Sequence, residues 1–185
     1  MVRAAPALSR PTAPGECLAL WTRWRDRSPR AGEVAIALLF HDAIYDPQAS
    51  GNELNSAALA PRSLVRVDAD SVSDTVQRVH DLVMFTKPAT PHDAPAVLGS
   101  SSDAQLLVDI DLSILGSPAE RFARYDQDVR KEYAWVPGQR YRESRAQVLQ
   151  SFLDRPQLYH GEAAVALLEA QARINLAAAL SRLAQ

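Results

Sequence analysis

From Val34 to Phe40 the chain runs Val-Ala-Ile-Ala-Leu-Leu-Phe without a polar break. A helix over 31–43 built on that run is apolar nearly all round and has no face to offer water. It belongs at the centre of a packed structure, with other elements around it. The run ends on His41–Asp42, two groups that are costly to bury without partners.

The segments available to surround it read as helices. Residues 16–25 set Leu18, Leu20, Trp21 and Trp24 near one face. In the loop 45–53, Asp46 precedes Pro47 and a Ser-Gly-Asn group follows, so Asn52 or Ser50 can cap a helix over 53–60. Val72, Val76, Val79 and Val83 recur at three- and four-residue steps and predict a helix over 68–86. A Pro- and Ser-rich connection occupies 86–103, longer than compact domains usually carry. Leu106, Leu107, Ile110, Leu112 and Leu115 predict a helix over 103–116 that stops at Gly116. Pro118 opens a polar helix over 118–134, and Val148, Leu149, Phe152 and Leu153 form the stripe of another over 139–153. The Ala- and Leu-rich stretch 161–184 carries Leu167, Ile174 and Leu180 along one side.

No alternating strand run and no hairpin dipeptide interrupts this series. The expectation is an all-α, single-domain helical bundle over 16–185, preceded by a disordered or loosely docked tail over 1–15 that carries Pro6, Pro11 and Pro14. At 185 residues, with 47% hydrophobic and 23% charged residues, one ordinary soluble core is in range. A formal net charge of −2 offers no footprint for a nucleic-acid polymer. No apolar stretch reaches the ~18–20 residues of a bilayer span, so no membrane partner is expected. The one cysteine, Cys17, suits a reducing cytoplasm and reads as a buried thiol.

Chemistry concentrates in few places. Of four histidines, three precede an aspartate: His41–Asp42, His80–Asp81 and His92–Asp93. His80 falls mid-helix beside the valine stripe, His92 in the long connection, and His160 at the boundary of the last helix. His41–Asp42 admits two readings: ligands to one metal ion, or a core histidine bonded to a backbone carbonyl with Asp42 opening the next turn. In Leu-Leu-Val-Asp-Ile-Asp-Leu, Asp109 and Asp111 interrupt a buried run and face nearly opposite sides of a helix. One can meet an ion beside His41 while the other does not; alternatively, one caps a helix start and the other faces water. The basic residues Arg121, Arg124, Arg130, Lys131, Arg140, Arg142 and Arg145 interleave with Glu120, Asp126, Asp128, Glu132 and Glu143, the pattern of an ion-paired solvent face.

The blocks AIALLFHDAIYDPQASGNELNSAALA, LVDIDLSILG, VRKEYAWVP and SRAQVLQSFLDRPQLYH, with EAQARINL after them, resemble a bacterial family described as predicted metal-dependent phosphohydrolases of the HD superfamily. The resemblance runs from about Glu16 to Leu180. It implies an all-helical fold in which His41 and Asp42, with Asp111 or else Asp109, hold a divalent ion such as Mn, Mg, Zn or Fe. It also implies that Glu53 supports the site as a neighbouring acid or general base, that Asp42 takes part in catalysis, and that a small phosphate ester or nucleotide is hydrolysed by metal-activated water. The pattern departs at the front: Ala13 stands where a further histidine is expected, and Ala89 falls near the place of another. The alternative expectation is therefore a member that has lost the metal and turnover while keeping a phosphorylated ligand or a protein partner. A homodimer through the C-terminal helix is compatible with either.

Overall fold

A computed structural model describes residues 14–49, 51–64, 69–86 and 101–185. Every regular element among the described residues is helical. Of the expected tail, residues 1–13 lie outside the described residues, as do Ser50, Ala89 and His92; Pro14 and Gly15 instead open the first helix. Proline suits a first helical turn, where its missing N–H has no partner to lose.

The chain divides into two compact units, Thr12–Asp111 and, beginning at the next residue, Leu112–Gln185. The first contains α1 (Pro14–Trp24), α2 (Ala31–Phe40), α3 (Asn52–Leu64), α4 (Ala69–Phe85) and α5 (Ser102–Asp111). The apolar helix α2 packs against the other four, the central place its composition demands. Val34 and Ala37 are fully buried, although Leu39 remains 53% exposed. Cys17 is buried against this core. Two polar clamps fix the packing. Glu33 of α2 takes a forked pair of bonds from the Arg78 guanidinium of α4, with Nε to Oε2 at 2.8 Å and Nη2 to Oε1 at 2.7 Å. Asp103, in the first turn of α5, accepts from the Ser28 hydroxyl and from the Arg30 N–H at 3.1 Å. An acid there also suits the positive end of the helix.

The second unit contains α6 (Ala119–Glu132), α7 (Gly138–Leu153) and α8 (Glu162–Leu183), led by a tight 3-10 turn at Leu112–Gly116. The helix expected over 103–116 thus changes pitch at Leu112. Gly116 does not end it in a left-handed cap; it allows a close approach. A methyl group on Gly116 would lie 2.6 Å from Leu168 Cβ and 2.7 Å from Leu168 O. The α8 helix meets this contact with a π turn at Val165–Glu169. Asn175 of α8 donates to the carbonyls of Leu115 and Ser117, each at 2.8 Å, and Tyr159 Oη donates to Leu112 O at 3.1 Å. With 22 residues, α8 is long and apolar enough to cross a membrane by length and composition, contrary to the expectation that no stretch reaches that length, because its few polar residues are spread among alanines and leucines.

The basic segment is not wholly a solvent face. Lys131 and Asp128 pair on the surface at 2.7 Å as expected. Arg145, however, is fully buried, its Nη2 3.1 Å and its Nε 3.3 Å from Asp126 Oδ1. Its guanidinium carbon lies 5.8 Å from the Tyr125 ring centroid. The local alternation of acids and bases conceals this, because Arg145 finds its acid on another helix.

Candidate functional site

The α2 helix stops at Phe40 rather than at 43. Ala43 N–H donates to Phe40 O at 3.0 Å, a three-residue closure that ends the α pattern and turns the chain at His41–Asp42. His41 keeps helical backbone angles as the C-cap residue. Its Nδ1 lies 2.9 Å from Leu38 O. Nδ1 must carry a proton to make that bond, so Nε2 is the nitrogen turned toward the carboxylates. It stands 3.3 Å from Asp111 Oδ1 and 3.6 Å from Asp42 Oδ2, while being buried and without an aligned hydrogen bond.

Asp111 arrives as the last residue of α5. Asp109, two positions earlier and about 200° away around the helix, is 2% exposed and makes no ion pair with His41. Glu53, half-buried in the first turn of α3, bonds to neither His41 nor Asp111. Thus three of the five candidate groups come together. Among the remaining histidines, His80 pairs with its neighbour Asp81 at 3.2 Å and His160 is exposed.

The loop after Asp42 is fastened by α3 rather than by a sheet. Ser56, fully buried, accepts from Ile44 N–H at 3.0 Å and donates to Ile44 O at 3.1 Å. The Asn52 side chain does the same for Asp46, accepting from its N–H at 3.0 Å and donating to its carbonyl at 2.8 Å. Two side chains four residues apart on one helix therefore hold two loop peptides two residues apart, much as a neighbouring strand would. Asn52, which with Ser50 is a candidate cap for α3, anchors the loop that follows Asp42 instead. The signal for this was present in Asn-Glu-Leu-Asn-Ser, although helical spacing does not name the loop peptides as partners.

Burial alone would lower the His41 pKa. The bond-distance approach of Asp111, the charges of Asp111 and Asp42, and the Leu38 carbonyl outweigh it and raise the value from 6.5 to about 9. At neutral pH His41 is then an imidazolium between two carboxylates. The donor set fits a divalent ion in kind: one imidazole nitrogen and two carboxylate oxygens. Ligand bonds of about 2.0–2.2 Å place two donors on one ion roughly 3–3.5 Å apart, near the separations seen around Nε2. The Asp42 and Asp111 side chains are 28% and 21% exposed, so water and small ions reach them. Among the described residues, no three such donors stand already arranged around a single point. Binding an ion here requires His41 to lose its Nε2 proton and the carboxylates to re-aim.

No family model, no curated protein and no solved structure matches this chain.

Proposed function

We propose that the chain is a metal-dependent phosphohydrolase of the HD type, acting on a small phosphate ester or nucleotide, with His41, Asp42 and Asp111 as the metal-holding set. The observation that supports this reading is the approach of Asp111 to His41 Nε2 from a separate helix, beside Asp42. A bound divalent ion would supply a Lewis acid for a phosphoryl oxygen and make water more acidic. The protein's own part is to hold the donors. Leu38 O fixes the imidazole so that Nε2 faces the carboxylates, and Ser56 and Asn52 hold the loop that follows Asp42. Glu53, on the same helix as those two anchors, is the reserve acid of this reading.

The absence of a ready cage among the described residues favours a second reading, a helical protein that keeps the ion-paired triad without turnover. One experiment separates the two. Purified protein is stripped with chelator, titrated calorimetrically with Mn²⁺, Mg²⁺ and Zn²⁺ near pH 8, and assayed with a panel of phosphate monoesters and nucleotides. Saturable binding and metal-dependent release of phosphate, both lost in His41→Ala, are expected. No binding at millimolar ion concentration overturns the enzyme reading, and activity that survives His41→Ala overturns the site.

A further inference from the structure

Asp111 reaches His41 from the last position of α5, which is a poor place from which to aim a side chain. The final carbonyls of a helix have no partner within it, and helix ends fray. Here the chain tightens at once into the 3-10 turn Leu112–Gly116, and buried side chains take its carbonyls. Tyr159 Oη donates to Leu112 O at 3.1 Å, and Asn175 serves Leu115 O and, just beyond the turn, Ser117 O. Only the φ and ψ of Leu112 separate the carbonyl held by Tyr159 from the peptide that follows Asp111.

Tyr159, in the bend between α7 and α8, is itself held. The carboxylate of Glu169, at the end of the π turn, accepts from the Leu158 N–H at 3.0 Å and the Tyr159 N–H at 3.4 Å. Arg173 Nε donates to the same carboxylate at 2.8 Å. A ring that only filled the core could be phenylalanine, as at the buried Phe122. A buried phenol needs a partner for its hydroxyl, and this one meets the first carbonyl beyond Asp111.

We infer that Tyr159 is a positioning residue for the candidate metal site: by holding the Leu112 carbonyl it keeps the end of α5 from unwinding and the Asp111 carboxylate aimed at His41. Its effect on metal binding rests on reading His41, Asp42 and Asp111 as the ion-holding set; its effect on the aim of Asp111 does not.

Tyr159→Phe keeps the ring and removes the donor. In metal-free full-length protein it is combined with Asp111→Asn in a double-mutant cycle read by urea unfolding. Alone, Tyr159→Phe should lower the folding constant about tenfold. Beside Asp111→Asn it should lower it about threefold or less, because part of its cost is the weakened approach of Asp111 to His41. In calorimetric titration with Mn²⁺, Tyr159→Phe should weaken binding about tenfold. Leu149→Val, at a buried position of α7, should lower stability and leave Mn²⁺ affinity unchanged. An equal cost of Tyr159→Phe in both backgrounds overturns the proposal. So does a Mn²⁺ affinity that Tyr159→Phe leaves intact or that Leu149→Val weakens as much. A wild-type chain that binds no Mn²⁺ overturns the metal reading instead, and the cycle then decides the role of Tyr159 by itself.

Discussion

His41 and Arg145 are both basic groups buried against aspartate, and their surroundings differ in a way that separates structure from chemistry. Around His41 two carboxylates face one titratable base, and both carboxylates are partly open to water. Around Arg145 a permanently charged group is completely buried, and Asp126 also lies near Arg182. Arg145 cannot give up its charge and nothing can replace it. His41 can lose its proton, and the negative charge left behind then calls for another cation. The first arrangement is a permanent internal tie, and the second is a place where one cation can be exchanged for another.

The strongest way to break this comparison is at Asp126. Asp126→Ala leaves the Arg145 charge buried beside an unfilled acceptor position and should cost about 3–5 kcal/mol in denaturant unfolding. Arg145→Met/Asp126→Leu removes both charges and should recover most of that loss. If the single substitution costs under ~1 kcal/mol, Arg145 is not the tie described here.

A pH series sharpens the other side. His41 binds its proton more tightly in the folded chain than in the unfolded one, at about 9 against 6.5. Its contribution is therefore complete below pH 6.5 and is lost as pH rises through about 9. For metal-free protein the loss should reach about 3 kcal/mol, and it should vanish in His41→Gln. Asp111→Asn removes the largest influence raising that pKa, so the His41 ring proton resonance should titrate at lower pH in the variant.

An ion that takes the place of the proton should compensate. At 100 times its Kd, a divalent metal should stabilise the chain by about 2.7 kcal/mol, more strongly as pH rises through the His41 titration, and chelator should reverse the gain. The same ion should leave the Asp126→Ala loss unchanged. The smallest effect belongs to the loop anchor. Ser56→Ala should cost about 1–2 kcal/mol by stripping the Ile44 peptide of both partners, and it should weaken metal binding without abolishing it. Equal metal affinity in Ser56→Ala would show that the loop needs no help from α3.

Most helices were legible because their apolar positions recur at helical spacing and the breakers between them are strong. The central place of α2 follows from its lack of a polar face. What escaped the sequence depends on contacts between distant segments. The change of pitch at Leu112 and the π turn at Val165–Glu169 answer one another across the Gly116–Leu168 contact, and neither stretch signals it alone. Gly116 looked like a helix stop because a glycine after a periodic run usually is one. At the candidate site, spacing could say that only one of Asp109 and Asp111 would face His41. Which one it is depends on the phase with which α5 packs on α2, a property of two helices. The burial of Arg145 is hidden from the sequence for the same reason, since its acid lies 19 residues away on another helix.

The π turn also makes the C-terminal helix sensitive to length rather than to composition. Removing one residue between Val165 and Glu169 would let the turn relax to ordinary α pitch with the later side chains near their present faces, whereas adding one residue at α pitch would swing every later side chain by about 100° relative to the start of the helix. Asn175 would leave the two carbonyls it serves, and Ile174 would rotate off the solvent side. An insertion that removes no particular contact would thus turn the helix's inner residues away from the core, so its length here should tolerate far less addition than the identity of its exposed alanines tolerates change.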